Sequence, residues 1–195
     1  LFLSPFGGWR QDLSRVFDEE GDALATYQVS RGAVGMELGY DFGTVAELRA
    51  GYVRAFGKAR RKVGDVIFPE LDWDEGGFTA RLEVDQLDNV NVPHAGYFGF
   101  ADYLGNRESL GGTESYDRFS AGALGAQTIG RWTGLLKGEG GTGMGRAIPF
   151  YDDFQLGGLF RLSARPPGPL RGDKYVLAAA LLYYRLTAHG GAIHS

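Results

Sequence analysis

The chain contains no cysteine. Disulfide frameworks, thiol nucleophiles and cysteine-ligated zinc are therefore excluded for this stretch. Long apolar runs are missing too. The longest, Tyr175 to Tyr184, has ten residues, about half of what a membrane-spanning helix needs. That excludes helices only, because a membrane β-strand crosses with about 9–11 residues and turns half of them away from lipid. Neither sign of charge is in strong excess: 20 Lys and Arg face 24 Asp and Glu, a formal net charge of −4. Without a basic surplus, nucleic acid is not an expected partner. The single basic run, Arg60-Arg61-Lys62 beside Lys58, reads as a solvated strand end.

Glycine, by contrast, is abundant, with 32 of 195 residues, and aromatics make up 13%. Each glycine inside a helix costs about 1 kcal/mol relative to alanine, which argues against a helical bundle. Scattered Tyr and Phe argue against disorder. An ordered, predominantly β chain remains.

Period-two alternation supports this. Val34, Met36, Leu38, Tyr40 and Phe42 oppose Gly35, Glu37, Gly39 and Asp41. Ala46, Leu48, Ala50 and Tyr52 oppose Glu47, Arg49 and Gly51. Phe78, Ala80, Leu82 and Val84 oppose Thr79, Arg81, Glu83 and Asp85. A helical period would mix these classes on every face, so the segments are read as strands. Weaker strands are expected at 9–17, 23–31, 57–68, 95–104, 116–127, 130–139 and 174–186, about ten or eleven in all. Turn chemistry marks Asp74-Glu75-Gly76-Gly77, Asp88-Asn89, Gly105-Asn106, Gly111-Gly112 and Pro166-Pro167-Gly168 as connections.

The apolar face is rich in Ala and Gly, with aromatics near strand ends: Tyr40, Phe42, Tyr52, Phe78, Tyr103 and Trp132. The other face carries mixed charge. This suits an antiparallel, meandering transmembrane β-barrel with lipid outside and a polar lumen. Glu37, Glu47, Arg49, Arg81, Glu83 and Asp85 are then luminal candidates, read first as an ion-pair lattice because enclosed charges need partners, with the lining of a path for a polypeptide or solute as the alternative. The alternative is a soluble β-barrel or sandwich that binds an apolar ligand, with the apolar face turned inward.

Three stretches carry a family resemblance. Asp85-Gln86-Leu87-Asp88-Asn89-Val90-Asn91-Val92-Pro93-His94-Ala95-Gly96 resembles the strand–turn–strand signature of the bacterial surface-antigen barrels, the superfamily that includes BamA and TamA. Phe154-Gln155-Leu156-Gly157-Gly158 is similar to that family's element leading into a long luminal loop. The run from Leu159 through Leu162-Ser163 to Arg185-Leu186 resembles the patatin-like branch, in which a lipid hydrolase is fused to the barrel. The resemblance implies a single partial barrel domain over 1–195, a luminal loop over 143–173, and a fragment of an expected sixteen strands. It also implies an anchoring or translocation role at the bacterial outer membrane, outer-membrane lipids as surroundings, an N-terminal patatin-like domain as partner, and scope for a homodimer. The family's luminal arginine has no clear counterpart, since Leu162-Ser163-Ala164 stands at the expected loop tip and Arg171-Gly172 comes later.

Physical roles can be given to the motif residues directly. Asp88 and Asn89 suit side-chain acceptance of turn amides, Pro93 and Gly96 bracket a reversal, and Gly157-Gly158 suits a sharp bend. No enzyme site is expected in this stretch: no serine stands in G-x-S-x-G and no histidine pair in H-E-x-x-H. Asp72-Trp73-Asp74-Glu75-Gly76 stops short of a calcium loop. Gly138-Glu139-Gly140-Gly141-Thr142-Gly143 opens no helix and is not read as a nucleotide site. No cofactor is expected.

Overall fold

The computed structural model describes residues 1–17, 23–64, 70–149, 151–156 and 170–186. The strands are β1 (Phe2–Phe17), β2 (Ala23–Phe42), β3 (Ala46–Gly64), β4 (Leu71–Asp85), β5 (Gly96–Asn106), β6 (Tyr116–Ile129), β7 (Trp132–Thr142), β8 (Phe154–Leu156), β9 (Leu170–Gly172) and β10 (Lys174–Tyr184). Eight of them form one antiparallel sheet in the order β1-β2-β3-β4-β5-β6-β7-β10, and β8 pairs with β9 separately. Every step in the sheet joins sequence neighbours except β7 to β10, which brackets an excursion. β1 and β10 are the open edges, so the barrel wall is incomplete.

Alternation and register together assign two continuous faces. Glu37 stands opposite Gly51, which stands opposite Thr79, and Arg49 opposite Arg81, which stands opposite Asp102. The same face continues through Arg118, Glu139 and Tyr175 on the later strands. A cavity of about 630 Å³ touches this face from β1 to β10, with Ser4, Glu37, Arg49, Asp102, Ser120 and Tyr175 among its walls. The charged face is thus the concave one.

The convex face is apolar and exposed: Val176 is 88% accessible and Leu136 68%. Phe42, Tyr97, Trp132 and Tyr184 edge it at one end, and Tyr52, Phe78 and Phe119 at the other. From Phe119 to Ile129, β6 rises roughly 25 Å at the usual barrel tilt of about 40°, the height of a lipid-facing band. Beyond that band β3 continues with Arg54, Lys58 and Arg60 outward, and Arg60 pairs with Asp72 at 2.8 Å.

Connections at the Phe42 end are short (43–45 and 130–131), apart from 86–95. Those at the other end include 107–115 and the long excursion 143–173. Short turns on one rim and long loops on the other are the habit of outer-membrane barrels.

Three expectations need correction. Segments 23–31 and 34–42 are one strand, and so are 46–52 and the described part of 57–68, because long strands run past the lipid band. Asp74-Glu75-Gly76-Gly77 is not a turn but the interior of β4. Its glycines serve close backbone approach: a Cβ on Gly76 would lie 2.1 Å from the Leu110 carbonyl oxygen, where the 3₁₀ turn Glu108–Leu110 folds against the wall. Gly105-Asn106 likewise closes β5 rather than forming a turn.

Candidate functional site

The concave trough has three levels. At mid-height lie the charges expected from sequence. Arg49 clasps Glu47, with Nη2 to Oε2 at 3.0 Å, and Nη1 comes within 4.0 Å of Glu37. Arg81 Nε donates to Asp102 at 2.5 Å, and Thr79 donates to Glu37 at 3.3 Å. Like charges face each other across the ladder at Glu47/Glu83 and Arg49/Arg81, which alone is unfavourable. The acid row and the arginine row are adjacent, however, and each repulsive pair lies beside attractive ones. Lys137 and Glu139 continue the pattern on β7 at 2.9 Å.

Above this level the excursion after β7 enters the trough. Its two ends are clasped by the Gly143 amide donating to Asp173 O at 2.9 Å. Ile148 and Phe154 are buried against Tyr116 and Tyr175. Tyr151 stacks on Trp73 with centroids 4.5 Å apart. The Arg118 guanidinium sits 4.5 Å over the Phe154 ring and reaches Asp152 at 3.8 Å. Tyr116 donates to Asp152 at 3.1 Å. Burial pushes the Asp152 carboxyl above its usual range, outweighing the nearby Arg118 charge. Beneath them Glu75, 1% exposed, accepts from Arg31 Nε at 3.0 Å and from Trp73 Nε1 at 3.1 Å.

At the short-turn end stands the 85–96 motif. Asp88 Oδ1 accepts the amides of His94 and Ala95 at 2.8 and 3.0 Å. Asn89 Oδ1 accepts those of Asn91 and Val92 at 2.9 and 3.0 Å. Asp85 accepts the Leu87 amide at 3.0 Å. The Ala95 and His94 amides hold the Asp88 carboxyl below its usual range. Gly96 has φ +102, and a Cβ there would meet Gln86 O at 2.0 Å, so only glycine suits the position. Pro93 is buried.

Of the residues singled out from sequence, Glu37, Glu47, Arg49, Arg81 and Glu83 share the mid-level face. Asp85, Asp88, Asn89, Pro93 and Gly96 lie together at one mouth, and Phe154 lies at the other. Arg171 pairs through its backbone with Gln155, and its side chain is outside the described residues. Gly157, Gly158, Leu162 and Ser163 are also outside them. Sequence reading missed Arg31, Glu75, Tyr116, Arg118, Asp152 and Tyr183. Glu75 was within reach: extending the 78–85 alternation back to Leu71 places it in phase with Arg81 and Glu83.

A sequence model of the Omp85 superfamily domain matches residues 8–190. No curated protein matches the chain.

Proposed function

The chain belongs to the Omp85 superfamily, whose members are outer-membrane proteins, and from that premise we propose that it is a bacterial outer-membrane anchor with an occluded lumen. It is an outer-membrane β-barrel of the surface-antigen type. One observation carries the anchor reading: the exposed convex face is apolar and aromatic-edged while the enclosed face holds the ion pairs. A soluble ligand-binding barrel requires the opposite arrangement, with its apolar face inside.

In a bilayer each interior strand satisfies its backbone groups through its two neighbours, and the outward Leu, Val and Ala side chains meet lipid. The patatin-type pattern around Leu162-Ser163 and Tyr184-Arg185-Leu186 supports a lipid hydrolase as the anchored partner, carried on the same polypeptide. Segments folded into both mouths favour an anchoring role over an open conduit for cargo. The mechanism is physical: the wall fixes the protein in the membrane and the luminal segments shut the passage.

The test is expression of the full-length protein in a Gram-negative host. It should fractionate with outer membranes, require detergent for extraction, and shift its gel mobility on heating. A monodisperse detergent-free species would end the anchor reading. Phospholipase activity from the barrel segment alone would overturn the assignment of chemistry to a fused domain.

A further inference from the structure

The turns at the short-turn end differ in what they must do. Joining adjacent antiparallel strands takes two to five residues, as 43–45 and 130–131 do here. Residues 86–95 exceed that need, and the surplus folds inward. The Pro93 carbonyl accepts the Tyr183 hydroxyl of β10. The His94 carbonyl accepts Thr128 Oγ1 of β6 at 2.8 Å, and Thr128 is itself bonded to Thr133 of β7 at 2.7 Å. The His94 ring meets Tyr183 edge-on at 6.0 Å. β10 is three ladder steps from β5, roughly 14 Å along the wall. The turn is therefore a chord across the β5–β10 side of the mouth, stiffened by the Asp85, Asp88 and Asn89 caps. Thr128, Thr133 and Tyr183 are polar groups on the concave face at the level where it lands.

We propose that residues 86–95 form a strap that covers the β5–β10 side of the short-turn mouth of the lumen, latched by Tyr183 and Thr128. The inference rests on the barrel reading. Its function is occlusion: the strap bars solutes at this mouth whatever the state of the 143–173 excursion at the other.

The test uses the full-length protein in detergent, with Ser120→Cys as a reporter on the concave face and any cysteine elsewhere in the protein replaced. Tyr183→Phe keeps the ring and removes the latch bond. Amide exchange across 88–95 should become roughly three- to tenfold faster, as expected for one lost hydrogen bond. A bulky maleimide should label Ser120→Cys several-fold faster, while Tyr184→Phe on the convex face should leave labelling unchanged. Unchanged exchange and labelling in a heat-modifiable Tyr183→Phe protein would overturn the strap. If that variant loses heat-modifiability, Thr128→Val applies the same test from β6. Loss in both makes the contact a folding requirement and overturns the closure role. Absence of heat-modifiability in the parent would instead remove the barrel reading.

Discussion

At the long-loop mouth the closing groups are Ile148 and Phe154, buried with Tyr116 and Tyr175, and Tyr151, stacked on Trp73, beside the enclosed Asp152 carboxyl. At the short-turn mouth they are backbone amides capped by exposed carboxylates and amides, with two hydroxyl latches. The first closure draws on apolar burial and ring packing, and the second on hydrogen bonds that water competes for. The two should therefore differ in sensitivity to truncation, and their pH responses should have opposite sign.

The largest expected effect sharpens that contrast at the upper mouth. Phe154→Ala removes a buried ring and the surface under Arg118, and should cost the docked excursion about 3–5 kcal/mol. Limited proteolysis within 143–173 checks this, with cleavage expected under conditions that leave the wild type intact.

Next comes pH. Docking raises the Asp152 carboxyl, so docking is strongest below the ordinary carboxyl range and weakens as pH rises through the raised value. Asp152→Asn should flatten the pH dependence of protease protection. Retention of the wild-type profile would show that another group carries it. The lower mouth should behave oppositely. Asp88 is held below its usual range, so its caps persist at neutral pH and are lost only as pH falls through that lowered value. Asp88→Ala should speed exchange at His94 and Ala95 at neutral pH and leave the 143–156 segment unaffected. Coupled changes at both mouths would break the comparison.

The smallest effect belongs to mid-height. Arg81→Gln removes a half-exposed ion pair with Asp102 and should change stability by about 0.5 kcal/mol or less in a detergent melt. A larger loss would mean that the charge rows act as one network.

Much of the wall was legible in the sequence, because a two-residue period survives any tertiary arrangement. Met36/Glu37 and Leu48/Arg49 sit on opposite faces wherever their strands go. The Asp88 and Asn89 caps were legible for a related reason: an Asx side chain reaches its own turn amides locally. Glu75 was hidden by two glycines that signal a turn in isolation, whereas here Gly76 admits the Leu110 carbonyl and Gly77 the Gly105 carbonyl. Asp152, Tyr116 and Arg118 were hidden because their meeting depends on an excursion that re-enters the trough from β7.

The sequence by itself thus determined the strand periodicity, the chemistry of each face and the turn motif at 85–96. Only the tertiary structure decided that the charged face is concave and which of its groups meet. It also decided that residues 86–95 reach β10. Alternation is written into neighbouring residues, whereas curvature and cross-trough contacts arise from the summed register of eight strands, which no local pattern encodes.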